Sequence, residues 1–181
     1  MPTIDRFAVM LDGEFVKKVL HKRLKHFPTA AEVMGEVARI FGVPELASLT
    51  LYRVFYYTAE PLSGTAINPL DGSKVDFSKT AAFSDNTKLI DTLDNQPDVA
   101  VRRGVLAHQG WEIGRSAAKA LLRKQKTAIS AGDLQPKIQQ KGVDMRIGLD
   151  IASLALKRLV GTVVVVTGDS DMVPAMKLAR R

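Results

Sequence analysis

Two short apolar runs limit the possible folds more than any other feature of the sequence. Residues 7–11 are FAVML and residues 162–167 are TVVVVT. Apolar runs of this length without polar alternation are typical of strands buried on both faces of a parallel sheet. Residues 49–58, rich in β-branched and aromatic side chains, predict a third strand.

Segments with helical features separate these strands. A capping box formed by Thr29 and Glu32 predicts a helix that ends at Gly42. Further helices are expected over residues 14–26, 84–95 and 143–159, and after Asp171. The alternation of strands and helices predicts a three-layer α/β/α sandwich around a mainly parallel sheet.

Three segments give weaker patterns. Residues 60–82 contain two prolines and two glycines and predict a long loop. Residues 99–106 predict a strand that Gly104 and Gly110 could interrupt with a bulge or hairpin. Residues 114–140 are polar and basic with little clean periodicity, so they predict no regular element.

Composition excludes several classes of protein. A chain of 181 residues, 46% hydrophobic and 25% charged, is expected to fold as a single domain over residues 1–181. The absence of cysteine excludes disulfides, thiolate nucleophiles and zinc fingers, and the three histidines have no metal-ligand spacing. No apolar run is long enough to span a membrane and no signal peptide is evident, so we expect a cytoplasmic protein.

Positive charge is concentrated in one part of the chain. The net charge is +7, and residues 99–141 alone carry nine Lys/Arg against two Asp/Glu. Such a block favours a polyanionic partner, here RNA, although it is equally explained as a solvated helical surface. The residues expected to contact nucleic acid are Arg115, Lys119, Arg123, Lys124, Lys126 and Lys141.

Aspartates follow the two apolar strands at the point where each ends. Asp12 follows the first strand, and Asp169 and Asp171 follow the last. If residues 169–171 are extended, side chains two apart project to the same side, and both could meet Asp12 if the strands are neighbours. A single aspartate in this position is also common as a turn former or helix cap. Ser170 is more typical of a cap than of a metal ligand.

Two aspartates near the helix before the last strand could extend this group. Asp144 lies at or before the start of that helix and could supply a fourth carboxylate. Asp150 lies six residues later, about 120° around a helix from Asp144, and is a weaker candidate.

Carboxylates packed together repel one another, and a hard divalent cation relieves that repulsion. Mg²⁺ or Mn²⁺ prefers oxygen ligands and would activate water for phosphodiester hydrolysis. We therefore expect Asp12, Asp144 and Asp169 to be catalytic, and these three with Asp171 to bind the metal.

Three segments resemble the NYN domain, in the LabA-like branch of the PIN-like nuclease superfamily. They are VMLDGEF at 9–15, QKGVDMRIGLD at 140–150 and VVVVTGDSDMVPAMKLARR at 163–181. The resemblance implies a PIN-like sandwich and a metal-dependent ribonuclease whose acidic site comprises Asp12, Asp144 and Asp169, with Asp171 and Asp150 as further members.

The chain departs from this family pattern at two points. Phe15 stands where many relatives have asparagine, which removes an accessory polar contact. The family usually continues past the last helix into another strand, whereas this sequence stops at Arg181, so the sheet either lacks an edge strand or the sequence is a truncated form. An open sheet edge also makes a homo-oligomer a possible assembly.

The sequence is compatible with functions of three classes. The first is a metal-dependent endoribonuclease, and the second is a non-catalytic RNA-binding or protein-interaction module on the same fold. The third, a phosphatase or a phosphotransfer receiver, is disfavoured because residues 12–14 lack the second aspartate that such a phosphatase needs and no receiver-like pair of strand-terminal Asp and Lys stands out.

Overall fold

A computed structural model describes residues 4–180 of the chain. The strands are β1 Arg6–Asp12, β2 Thr50–Glu60, β3 Thr65–Ile67, β4 Lys74–Asp76, β5 Val99–Ile113, β6 Leu134–Lys141 and β7 Thr162–Val166. The helices are α1 Gly13–Leu24, α2 Ala30–Phe41, α3 Ala81–Asp94, α4 Arg115–Leu122, α5 Val143–Leu156 and α6 Val173–Ala179.

Five strands form the main sheet in the order β6, β5, β2, β1, β7. β1 pairs in parallel with β2 and β7, and β2 pairs in parallel with β5. β6 alone is antiparallel, on the outer side of β5. The carboxyl ends of the four parallel strands therefore meet at one edge of the sheet, where ligand sites of open α/β sheets lie.

Alternating side chains of the central strand contact the two helical layers. Phe7, Val9 and Leu11 of β1 pack with buried residues of α1, α2 and α3. Ala8 and Met10 face the other way and pack with buried residues of α5. Because β1 is covered on both faces, its run of apolar residues has no polar alternation, and the predicted three-layer α/β/α sandwich is confirmed.

The helices begin and end close to their predicted limits. Thr29 and Glu32 form the expected capping box at the start of α2, and Pro174 lies in the first turn of α6. α5 begins at Val143, one residue before Asp144. Within residues 4–180, no helix combines the length and hydrophobicity that crossing a bilayer requires.

The structure corrects the predictions for two segments and refines a third. Residues 60–82 are not a simple loop, because β3 and β4 form a short hairpin there. Residues 114–140 contain both α4 and β6. β5 extends to Ile113 and passes through Gly104 without a break, whereas the expected bulge is present around Gly110, where the register with β6 shifts between His108 and Trp111. These elements are short or have solvent-exposed faces, so their sequences show little apolar periodicity.

Candidate active site

Asp12 is the last residue of β1 and the N-cap of α1, which fixes the direction of its carboxylate. Its Oδ1 accepts hydrogen bonds from the backbone N–H groups of Glu14 (3.1 Å) and Phe15 (3.2 Å). The next residue is Gly13, where a Cβ would lie 2.5 Å from the carbonyl oxygen of Tyr57. Only glycine therefore allows α1 to start this close to β2, with Asp12 held at the sheet edge.

The loop after β7 connects Asp169 to Asp12 through Thr167. Thr167 Oγ1 donates a hydrogen bond to Asp12 Oδ2 (3.1 Å) and accepts one from the backbone N–H of Asp169 (3.0 Å). Because β1 and β7 are neighbours, the strand ends are adjacent as expected. The parallel pairing of β1 and β7 thus brings Asp12 and Asp169 to the same edge of the sheet.

Asp171 has a different conformation from the predicted one. Residues Ser170–Met172 form a 3-10 helix rather than an extended segment. Asp169 caps this turn, since its Oδ1 accepts a hydrogen bond from the backbone N–H of Asp171 (2.9 Å). The expectation that Ser170 would cap the last helix is wrong, because Ser170 lies inside this turn and α6 begins after Met172 without a side-chain cap.

Asp144 lies in the first turn of α5, where the charges of the other three aspartates affect the pKa of its carboxyl. Desolvation, together with the negative charges of Asp12, Asp169 and Asp171, raises the pKa of the Asp144 carboxyl above its ordinary value. Like charges within reach of one another have this effect on a carboxyl group. The Asp144 carboxyl therefore experiences the negative charge of the aspartates that follow β1 and β7.

The four aspartates form an open arrangement. Among the described residues, no three acidic or histidine side chains lie close enough together to form a ready-made metal site. Mg²⁺ is commonly held by one or two carboxylates, with water and substrate phosphate as the remaining ligands. The donor set of carboxylate oxygens fits that mode of binding, and a cation would offset both the desolvation and the neighbouring negative charges that raise the pKa of Asp144.

Asp150, the weaker candidate, is bound by residues of the sheet. Its Oδ2 accepts hydrogen bonds from the Tyr57 hydroxyl (2.9 Å) and from Arg102 Nε (3.1 Å). The Arg102 guanidinium also lies 5.3 Å from the centroid of the Phe55 ring. These contacts anchor α5 to β2 and β5. The pKa of the Tyr57 hydroxyl is raised, mainly because the group is buried and also because the Asp150 carboxylate lies next to it.

A cavity of about 1060 Å³ opens beside the acidic edge. Asp12 and Asp169 lie in its wall together with the partly exposed ring of Phe15. The same wall continues along α1 through Lys18 and Lys22. The acidic site therefore adjoins a cleft whose α1 side is basic.

The six basic residues expected to bind nucleic acid lie elsewhere. They are Arg115 and Lys119 on α4, Arg123, Lys124 and Lys126 after it, and Lys141 at the end of β6. None of the six is among the residues that line the described cavity. Lys126 is paired with Asp133.

Sequence reasoning missed the basic residues of α1. Counted by segment, the first 26 residues have only a small positive excess. The signal that could have identified them is positional, because Lys18 and Lys22 are four residues apart on the helix that starts at Asp12.

A mainly parallel α/β sandwich with aspartates at the carboxyl ends of two neighbouring strands defines the structural class. The family model of the NYN domain matches residues 70–181, more than half of the chain. The protein therefore belongs to the NYN domain family, which is part of the PIN-like nuclease superfamily. Asp144, Asp169 and Asp171 lie within the matched residues, and Asp12 precedes them. No curated protein and no solved structure matches the chain.

Proposed function

We propose that this chain is a cytoplasmic, divalent-metal-dependent endoribonuclease, acting as one NYN domain over residues 1–181. The observation that carries the proposal is that the Thr167 hydroxyl links the Asp12 carboxylate at the end of β1 to the backbone of Asp169 after β7, at one edge of the sheet. Carboxylates from separate elements repel one another at this edge, which is the arrangement that a bound cation stabilises. The absence of cysteine is compatible with a reducing compartment.

The proposed roles follow from the positions of the carboxylates. Asp12, Asp144 and Asp169 would hold Mg²⁺ or Mn²⁺, with Asp171 as a further ligand. When bound, the ion would lower the pKa of a coordinated water and stabilise negative charge on the phosphate in the transition state. The backbone N–H groups of α1 and the Thr167 hydroxyl keep Asp12 in a fixed orientation.

Substitution of single aspartates tests the proposal. Asp12→Asn and Asp169→Asn should each reduce cleavage of a fluorescently labelled single-stranded RNA by at least about 100-fold in Mg²⁺ or Mn²⁺. Asp5→Asn is the matched control, because Asp5 is an exposed aspartate next to β1 at the opposite edge of the sheet. Wild-type cleavage by both Asp12→Asn and Asp169→Asn would contradict the assignment.

A second function is favoured by the open arrangement of the acids. No three of the described acidic or histidine side chains are gathered into a metal site, and Phe15 places an aromatic ring beside Asp12. A non-catalytic module that binds RNA or a protein on the same fold would have these features. Binding of RNA without cleavage in Mg²⁺, in Mn²⁺ and on several substrates would favour that function.

A further inference from the structure

The charge distribution on α1 indicates how a substrate would approach the acidic site. We propose that a single-stranded RNA runs along α1, with consecutive phosphates bound by Lys18 and Lys22. This inference rests on the proposed function, because it assigns the binding subsite that leads the strand to Asp12 and Asp169. It places the main RNA contact on α1 rather than on the basic residues of α4.

Lys18 and Lys22 line the same cavity as Asp12 and Asp169. They are four residues apart, so they lie on one face of α1, about 6 Å apart along the helix axis. Asp12 is the N-cap of that same helix, so the acidic site lies at one end of α1 and the two cations lie further along the helix in the same cavity.

The basic residues of α1 differ in whether they have an acidic partner. Lys17, which is buried, is paired with Glu14 and donates to the side-chain oxygen of Asn86. Arg23 is paired with Glu36. Lys18 and Lys22, by contrast, have no acidic partner within residues 4–180. Like charges four residues apart disfavour a helix, and an anion bound between them would remove that repulsion.

The cavity also has aromatic and apolar surfaces. Phe15, Phe27, Leu106 and Ile138 contribute aromatic and apolar side chains to its lining. Bases stack on such surfaces only when they are unpaired, since the bases of a duplex are already stacked on one another. A cleft with cations along one helix and apolar groups elsewhere fits the backbone and the bases of a single strand, so we expect weaker binding of duplex RNA.

The test compares two pairs of substitutions with identical spacing. Lys18→Gln/Lys22→Gln removes the cavity cations, and Lys119→Gln/Arg123→Gln removes two exposed cations four residues apart on and just after α4. Binding of a short labelled oligouridylate is measured in EDTA, where the metal-dependent reaction does not occur. Circular dichroism and thermal melting verify that each variant is folded.

We expect the α1 pair to reduce affinity about tenfold or more and the α4 pair to leave it within about twofold. The slope of log K against log salt should fall by about 1.4 for the α1 pair, because each lost phosphate contact on a single strand removes about 0.7. Unchanged binding by the α1 pair, an equal loss in both pairs, or no binding of single-stranded RNA by the wild type would each overturn the inference.

The inference and the proposed function fail separately. If Asp12→Asn abolishes cleavage while the Lys18→Gln/Lys22→Gln variant binds RNA like the wild type, the proposed RNA path is wrong and the nuclease proposal is supported. If binding depends on Lys18 and Lys22 but the wild-type protein cleaves no RNA, the RNA-binding path along α1 is supported and the nuclease proposal is wrong.

Discussion

Thr167 donates a hydrogen bond to Asp12 across the boundary between β7 and β1, with 3.1 Å between Oγ1 and Oδ2. The same hydroxyl oxygen accepts the backbone N–H of Asp169 at 3.0 Å. The Thr167 side chain thus holds both the Asp12 carboxylate at the end of β1 and the backbone of Asp169 after β7. In metal sites, the groups that hydrogen-bond to the ligands fix the ligand orientation and so tune the affinity for the metal.

Thr167→Val should therefore weaken metal-dependent cleavage without unfolding the protein. We expect the apparent affinity for Mn²⁺ or the cleavage rate to fall about 10- to 100-fold, the usual effect of losing such an orienting group. Titration of activity with Mn²⁺ measures this change. Thr162→Val, at the other end of β7, is the control, and an equal loss in both variants would assign the effect to the strand rather than to Asp12.

Asp144→Asn should stabilise the metal-free protein while abolishing cleavage. The folded-state pKa of Asp144 is raised, so its contribution to stability is lost as the pH rises through that pKa, and the ionised form is unfavourable near neutral pH. The neutral amide removes this cost, and the melting temperature in EDTA should rise. Added Mg²⁺ should then stabilise wild type more than the variant. A lower melting temperature for Asp144→Asn in EDTA would contradict the electrostatic explanation.

The positions of the candidate acids could be predicted because strand ends are marked in the sequence. Asp12 and Asp169 directly follow apolar runs, and a parallel sheet brings the ends of such strands to one edge. The conformation of residues 169–171 could not be predicted in the same way. There the Asp169 carboxylate accepts the N–H of Asp171 and closes a turn, a local hydrogen bond that competes with the extended form.

Other features depend on contacts between distant segments. β6 has the sequence LQPKIQQK and lies at the edge of the sheet, so its polar residues hide the strand pattern. The β3–β4 hairpin has only three residues in each strand, and the buried Asn68 donates from Nδ2 to the carbonyl oxygen of Ala131 (3.0 Å). The cavity beside α1 is likewise lined by residues of β5, β6 and the loop that follows β2, which are distant from α1 in the sequence. Periodicity within one segment does not contain this information.

Tyr57→Phe tests the anchor between α5 and the sheet. The Tyr57 side chain is fully buried and its hydroxyl donates to Asp150 Oδ2 (2.9 Å). Removing a hydrogen bond to a charged group costs about 1.5–3 kcal/mol, and we expect a loss of that size in the free energy of unfolding measured with urea. Tyr52→Phe on the same strand is the control, with an expected change within about 0.5 kcal/mol. Equal stability of both variants would show that Asp150 needs only Arg102.

The turn at residues 126–133 should loosen in acid. Hydrogen bonds from Lys126, and then from the backbone and side chain of Ser130, lower the pKa of Asp133 to about 2. Because the folded pKa lies below the unfolded value of about 3.9, the stabilisation is present above that value and is lost as the pH falls towards 2. The amide shift of Ser130, which donates to Asp133, should titrate near pH 2, and Asp133→Asn should abolish that titration. A midpoint near 4 would contradict the ion pair.

Gly168→Ala should disturb the wall of the cleft beside Asp12 and Asp169. A Cβ at Gly168 would lie 2.6 Å from two ring carbons of Phe15, so the ring must move into the cavity that it lines. We expect a loss of about 1–3 kcal/mol in stability, as for other overpacked positions, and slower cleavage.

Gly148→Ala provides the matched control, because its Cβ would meet only Ala175 at 3.9 Å. Alanine in the interior of α5 should stabilise the protein by about 0.5–1 kcal/mol. Phe15→Leu combined with Gly168→Ala should recover part of the lost stability, since the smaller side chain gives the methyl group room. Additive losses in the double variant would show that the ring of Phe15 is not what excludes a side chain at Gly168.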